Sequence, residues 1–175
     1  MENKKKSNYF IFGAMIATSM IAMFGLMYLN TYELYHVQWS ETRFYMTFIM
    51  GAAMAVIMLT FMRGMYSDGK KNLFIYLGSL VVFLLALFLV RSQTTVQDES
   101  YMRAMIPHHS IAILTSGRAE IEDVRVRELA DAIIAAQQRE IKEMNWLLDD
   151  IRENGIAATE AEVEARPVPA FEASP

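Results

Sequence analysis

Three stretches of this chain are too long and too apolar for an ordinary water-soluble domain. Residues 9–29, 44–62 and 73–90 contain no Asp, Glu, Lys, Arg or His. A helix needs about 20 mostly apolar residues to cross a bilayer, so each stretch is long enough. The first stretch is longer than the apolar part of a signal peptide, and no clear cleavage site follows it. The sequence therefore predicts a three-span membrane region over residues 9–90, with the first span retained.

The basic residues beside these stretches predict how the chain lies in the membrane. One side carries most of them: Lys4, Lys5 and Lys6 before the first stretch, and Arg63, Lys70 and Lys71 between the second and the third. Only Arg43 and Arg91 adjoin the other side. Because Lys and Arg are retained in the cytoplasm, residues 1–8 are predicted to be cytoplasmic. Residues 91–175 and the first loop would lie outside the cytoplasm of a multi-pass plasma-membrane protein, in the periplasm of a Gram-negative bacterium.

Methionines recur at helical spacing within the first two stretches. They form two sets: Met20, Met23 and Met27, and Met46, Met50, Met54, Met58 and Met62. Flexible Met side chains often fill gaps between packed helices. The other interpretation is a thioether ladder for Cu(I), although steps of four residues drift around a helix by about 40° each. Both interpretations remain open, and no charged group inside a span offers a site for active transport.

The second half of the chain predicts a helical hairpin over residues 91–154. A first amphipathic helix covers residues 97–117 and contains Pro107, which is expected to kink it. A second helix is expected after Asp123 and ends near the Asn154–Gly155 stop signal. The apolar stripe of the first helix comprises Asp98, Tyr101, Met102, Met105, His109, Ala112, Ile113 and Ser116. That of the second comprises Val126, Leu129, Ile133, Gln137, Glu140, Met144, Leu147 and Ile151. Residues 155–175 are rich in Ala, Glu and Pro and predict a disordered acidic tail.

A two-helix hairpin of this size needs a partner to cover its apolar stripes. Pairing with a second copy would give a four-helix bundle, an architecture whose inward side chains commonly build metal sites. The outer ends of the membrane helices are the alternative cover. The predicted fold class is thus all-α, with three transmembrane helices followed by a hairpin that forms a homodimer or a higher homo-oligomer.

Glu140 is the most informative polar residue, because it lies within the predicted apolar stripe of the second helix. A buried carboxylate costs several kcal/mol unless it is paired or coordinated. Across the hairpin, the donors that can reach it are Asp98, Met102, Met105 and His109, with Met144 beside it. His108 lies about 100° away on an unbroken helix, and only a kink at Pro107 would turn it inward. Imidazole together with thioether suits copper or silver, and thioethers favour Cu(I).

Ordinary explanations exist for each of these residues. The two histidines could be solvated, the methionines could be core, and Glu140 could bind Arg103 or Arg139. Together, however, the donors within M-x-x-M-x-x-H-H favour metal coordination. Glu33 and His36 form a Glu-x-x-His in the first outer loop, for which chance or a role at the membrane surface is the simpler explanation. His36 is nevertheless a further candidate copper ligand.

Two motifs carry a family resemblance. The segments YMRAMIPHHSIAI and ELADAIIAAQQREIKEM match the patterns M-I-x-H-H-x-x-A-I and A-Q-x-x-E-I-x-x-M, so the region from Asp98 to Ile151 resembles the domain of unknown function 305 family. The resemblance implies a ferritin-like, extracytoplasmic module associated with copper or silver binding and tolerance. It implies roles for Met105, His108, His109, Gln137, Glu140 and Met144. Many members have an acidic residue and Met after A-I, where this chain has Leu114 and Thr115.

The sequence therefore predicts a membrane-anchored copper- or silver-binding protein that sequesters the metal or hands it to a pump or chaperone. The alternative is a structural module in which the hairpin mediates oligomerisation without metal. An enzyme is not expected, because the chain has no Cys and no convincing Ser-His-Asp or paired-carboxylate arrangement. Nucleic-acid binding is also disfavoured, since residues 91–175 carry 16 Asp and Glu against 9 Lys and Arg.

Overall fold

The computed structural model of the protein describes residues 2–173, with side chains from residue 8 onward. Met1 of the predicted cytoplasmic segment, Ser174 and Pro175 of the predicted tail, and the side chains of Lys4, Lys5 and Lys6 lie outside this description. Over the described range the protein is helical, without strands, as the sequence predicts. The helices are α1 (Glu2–Leu26), α2 (Glu41–Phe61), α3 (Gly69–Ser92), α4 (Asp98–Arg118), α5 (Val124–Asn154) and α6 (Glu160–Ala165), with a 3₁₀ turn at Leu34–His36.

The chain divides into two compact units. The first, the membrane unit, comprises residues 1–29 and 41–96, and the second, the hairpin unit, comprises residues 30–40 and 97–175. Residues 30–40 thus belong to the hairpin unit, although the sequence placed them within the membrane region. The reason is packing: the 3₁₀ turn Leu34–His36 contacts α4.

The membrane unit contains three helices that are long and apolar enough to cross a bilayer. These segments are Asn8–Leu26, Glu41–Phe61 and Gly69–Ser92, which confirms the three apolar helices expected from the sequence. Helix α2 packs against both α1 and α3. The core of the membrane unit contains Phe12, Ala55, Leu59 and Tyr66. Helix α3 begins at the cap residue Asp68, whose carboxylate accepts the backbone N–H groups of Lys70 and Lys71.

Methionines contribute to packing in the membrane unit. Met58 and Met62 lie against its core. Gly51 on α2 makes room for Met20 on α1, since a Cβ atom at position 51 would lie 2.4 Å from the Met20 sulfur. These contacts are those of gap-filling side chains. A metal-conducting ladder remains a prediction.

Helices α4 and α5 form the predicted hairpin, which is the centre of the hairpin unit. Helix α4 runs without a break through Pro107. The Asp123 carboxylate accepts the Arg125 N–H at the start of α5, and Gly155 ends α5 with φ +79°, which glycine adopts without strain. The core residues of the hairpin are Met102, Ile106, Ile113, Ile141, Met144 and Leu148.

The inward face of α5 differs from the predicted stripe in its first half. Val126 and Leu129 were expected to face inward, yet they are 49% and 60% exposed, and Ala130 is buried instead. Tyr101 of the predicted α4 stripe is likewise 55% exposed. Val126 and Leu129 lie opposite the last turn of α4, where Thr115, Ser116 and Gly117 offer little apolar surface.

The segment after Gly155 contains a short helix and contacts the hairpin. Thr159 and Glu162 form a reciprocal capping box at the start of α6. Beyond it, the Arg166 guanidinium donates to the Asp150 carboxylate of α5 at 2.7 Å, and both side chains are mostly buried. A short helix and one ion pair thus place part of this segment against α5, while disorder of the acidic tail stays a prediction.

Candidate metal centre

One cavity of the hairpin unit collects most of the predicted metal ligands. It has a volume of about 690 Å³ and lies between α4, α5 and the segment after Gly155. Six of the seven candidate residues line it: Asp98, Met102, Met105, His109, Glu140 and Met144. The fold therefore brings together, in one place, the imidazole, thioether and carboxylate groups that the sequence spread over two helices.

His109 is the central polar side chain of this cavity and is 8% exposed. Its Nδ1 lies 3.0 Å from the Met105 carbonyl oxygen, one helical turn back along α4. A carbonyl oxygen only accepts hydrogen bonds, so Nδ1 carries a proton and donates it. Nε2 is therefore the nitrogen left to face a metal ion, which would take the place of the hydrogen that the contact between Nε2 and the Glu140 carboxylate requires. Metal-binding histidines are commonly oriented in this way, by a backbone carbonyl that fixes the other ring nitrogen.

Glu140 is the direct partner of His109, but its burial differs from the prediction. Its Oε2 lies 2.6 Å from His109 Nε2, and the Gln137 amide donates to the same oxygen at 3.4 Å. The Glu140 side chain is nevertheless 48% exposed, so it lies at the rim of the cavity rather than in its floor. The neighbouring residue Ile141 takes the buried position. The argument from the cost of a buried carboxylate was therefore wrong, while the pairing with His109 is present.

His108 lies outside the cavity and is exposed. Its ring centre is 6.2 Å from that of His109. Successive residues of a helix point about 100° apart, and α4 continues through Pro107 without turning His108 inward. The inward rotation expected from a proline kink did not occur. The two adjacent histidines thus have different environments.

The sulfur donors divide between the core and the cavity. Met102 and Met144 are 6% and 9% exposed and belong to the hydrophobic core, while Met105 is half-buried; all three also line the cavity. Asp98 is exposed at the start of α4. Among the residues described, no group of three or more His, Asp and Glu side chains could hold a metal ion. A metal at His109 and Glu140 would therefore need thioether sulfur to complete its coordination.

The segment after Gly155 forms part of the cavity wall, which sequence reasoning missed. Ile156, Val163 and Val168 line the cavity together with Arg166, whose guanidinium holds the segment to Asp150. The only signal in the sequence was this Arg between scattered apolar residues of an acidic stretch. Apolar groups beside a polar site lower its access to water, and they strengthen the electrostatic interactions within it.

His36 occupies a different cavity, of about 190 Å³, lined by residues of the first loop and of α4 and α5. It is 3% exposed, and its Nδ1 lies 2.9 Å from the Ser110 hydroxyl oxygen. That oxygen also accepts the backbone N–H of Tyr32 at 2.7 Å. No hydrogen-bond partner of His36 Nε2 is found among the described residues. The structure thus places His36 and His109 in separate cavities, and copper binding by His36 stays a prediction.

The burial of His36 predicts a loss of stability in acid. Burial lowers its pKa below the ordinary value of 6.5, although the charge of Glu33 opposes the shift. Below about pH 6.5 the unfolded chain binds a proton that the folded protein binds only at lower pH, so the free energy of unfolding should decrease. We expect the melting temperature, followed by tryptophan fluorescence, to fall from pH 7.5 to pH 5 in the wild type.

The fall in melting temperature from pH 7.5 to pH 5 should be smaller in His36→Gln than in the wild type. His108→Gln serves as the matched control, because His108 is exposed, and it should keep the wild-type pH dependence. An identical pH dependence in His36→Gln and wild type would contradict the assignment to His36.

Comparison with known proteins places the chain in a family. The model of the family described as a domain of unknown function, DUF305, matches residues 91–170, which include the hairpin and the segment after Gly155. An uncharacterized protein of Acanthamoeba polyphaga mimivirus is 33% identical over 144 residues, covering 78% of this chain and 93% of the viral protein. No solved structure matches the chain. The matching family model and the similarity to the viral protein across nearly its whole length show that this chain belongs to the DUF305 family.

Proposed function

We propose that the protein is a membrane-anchored, non-enzymatic binding protein for Cu(I), and also for Ag(I), that holds the metal outside the cytoplasm. The observation that carries the proposal is the orientation of His109. Its Nδ1 is fixed to the Met105 carbonyl, and its Nε2 faces Glu140 within a cavity that three methionines also line.

The chemistry of the donors selects the class of metal. Thioether sulfur and imidazole nitrogen favour soft monovalent ions, whereas Mg²⁺ and Ca²⁺ require several oxygen ligands. Here the sulfur donors would be drawn from Met102, Met105 and Met144, with His109 as the nitrogen donor. Glu140 is exposed enough to move when its contact with His109 is replaced, and it adds a negative charge that favours a cation.

The membrane anchor and the exposed rim of the cavity in the hairpin unit suggest sequestration or hand-over of metal. The distribution of basic residues supports a cytoplasmic N-terminus, with the hairpin unit on the opposite side of the membrane. Glu140 and Asp98 are both exposed at the cavity, where a carrier protein could reach a bound ion. A metal pump or a metal chaperone is the partner that this arrangement would serve, and a homo-oligomer remains the predicted assembly.

Titration of the purified full-length protein with Ag(I), and with Cu(I) under anaerobic conditions, tests the proposal. Trp39 and Trp146, the two tryptophans of the chain, both belong to the hairpin unit, so their fluorescence follows the unfolding of this unit. A ligand at 100 times its Kd stabilises the folded state by about 2.7 kcal/mol. We therefore expect saturable binding and a melting temperature raised by several degrees, with no such rise in Mg²⁺.

A structural module is the second candidate function, and one observation favours it. Val126, Leu129 and Tyr101 expose large apolar side chains on the hairpin unit, as an association surface does. Assembly that is independent of metal, together with a melting temperature unaffected by Ag(I) or Cu(I), would favour this function over metal binding.

A further inference from the structure

A groove runs between α1 and α3 in the membrane unit. Both helices pack against α2, and over the described residues the backbones of α1 and α3 do not approach each other as closely. They are joined at one end, where the Tyr9 hydroxyl donates to the Asn72 side-chain carbonyl at 2.8 Å. Beyond this contact they leave a groove of about 620 Å³, which we call the α1/α3 groove. Its main apolar lining residues are Phe12, Gly13, Ile16, Met20, Phe74 and Ile75.

The shape of the α1/α3 groove suits an alkyl chain. Its α1 wall extends from Tyr9 to Met20, a rise of about 16 Å along the helix axis. Gly13 and Ala17, one turn apart, have the smallest side chains of this wall and leave the most space beside it. A Cβ atom added at Gly13 would meet nothing within 4 Å. An apolar groove of this size inside a bilayer is filled, because both the lipid and the protein pack closely.

One end of the groove is positively charged. Lys70 and Lys71 of α3 line it next to Tyr9. The Lys71 ammonium lies 3.3 Å from the Asp68 carboxylate, so its charge is partly balanced. Among the side chains that the structure describes, no carboxylate lies within ion-pair distance of Lys70. Basic residues between transmembrane helices at the membrane surface are the usual binding site for anionic lipid head groups.

We propose that an anionic phospholipid binds in the α1/α3 groove. One acyl chain lies along Gly13 and Ala17, and the phosphate group contacts the ammonium groups of Lys70 and Lys71. The apolar wall and the charged end thus match the two chemically different parts of a single lipid molecule. The described residues that line this groove all belong to the membrane unit, and the proposal does not depend on metal binding.

The charges favour a lipid over a second copy of the chain as the occupant. Two copies in one membrane have the same orientation, so the lysines at this end would lie at the same depth in both. Filling the groove with a helix of the second copy would gather Lys70 and Lys71 of both copies there, against a single carboxylate, Asp68, from each. A lipid phosphate supplies the missing negative charge instead.

Native mass spectrometry of the full-length protein in a neutral detergent tests the proposal. The protein is titrated with phosphatidylglycerol and with phosphatidylcholine of identical acyl chains. One charged lysine near an anionic head group contributes about 1 kcal/mol, or roughly fivefold in affinity. We expect phosphatidylglycerol to bind about tenfold more tightly, and Lys70→Gln/Lys71→Gln to abolish this preference while weak binding of both lipids remains.

Filling the groove gives an independent test. Gly13→Leu should abolish binding of both lipids, because its side chain occupies the space of the acyl chain. Gly78→Leu is the matched control, since Gly78 on α3 also has open space around it but does not line the groove, and it should bind as the wild type does. Equal binding of the two lipids by the wild type would overturn the proposal. So would a Gly13→Leu variant that keeps its lipid but loses self-association, which would assign the groove to a second copy.

Discussion

Replacing His109 with Ala is expected to lower the affinity for Ag(I) and Cu(I) by at least about 100-fold. Loss of even an indirect partner of a metal ligand typically costs 10- to 100-fold in affinity, and His109 is proposed as a direct ligand. The remaining thioethers of Met102, Met105 and Met144 belong largely to the core and would hold the ion without a nitrogen donor. Competition titration with a chelator of known affinity measures the loss.

His108→Ala provides the matched control for this prediction. The two histidines are neighbours on α4, but only His109 lines the cavity, so His108→Ala should keep its affinity within about threefold of the wild type. Tryptophan fluorescence establishes that both variants are folded. Equal losses in the two variants, or an unchanged affinity in His109→Ala, would contradict the assignment of His109 as the ligand.

Leu148→Ala should destabilise the hairpin unit by about 3 kcal/mol, the usual cost of emptying a buried leucine site. Leu148 is 4% exposed and belongs to the core shared by α4 and α5. Denaturant unfolding followed by tryptophan fluorescence reports on this unit and gives the change in the free energy of unfolding.

Leu129→Ala, the same substitution on the same helix, should cost less than about 0.5 kcal/mol, because Leu129 is 60% exposed. This pair distinguishes the observed inward face of α5 from the face predicted by periodicity. A large loss in Leu129→Ala that grows with protein concentration would show that Leu129 is buried between copies. If Leu129→Ala lost as much stability as Leu148→Ala at every protein concentration, the inward face of α5 would have been assigned wrongly.

The apolar helices and the hairpin were predictable because they depend on local sequence. Uncharged stretches of about 20 residues specify membrane helices, and the caps Asp123 and Gly155 specify the ends of α5. Of the predicted face of α5, Met144 is buried and Leu147 and Ile151 pack against the core. The other buried residues near Met144, Ile141 and Leu148, were not predicted, and Leu129 is exposed. Periodicity locates a stripe on a helix, but the facing element determines which part of it is buried.

The sequence predicted which residues belong to the candidate site better than it predicted their positions. Six of the seven residues named from the sequence share one cavity, since helical spacing places them on facing sides of a hairpin. His108 points outward as an unbroken helix requires, so the error was the kink expected at Pro107. The exposure of Glu140 depends on whether Glu140 or Ile141 faces α4, which the spacing on α5 alone does not determine. The contribution of Arg166 was missed, since it acts through a distant partner, Asp150.

By itself, the amino-acid sequence determined the three apolar helices, the hairpin and the membership of the donor set, because hydrophobic length and helical period act within one segment. Only the tertiary structure decided which histidine enters the cavity, how its ring is oriented by the Met105 carbonyl, and that residues after Gly155 close one wall. Those features depend on contacts between segments distant in the chain, and the free energies of such contacts are set by the exact approach of their side chains.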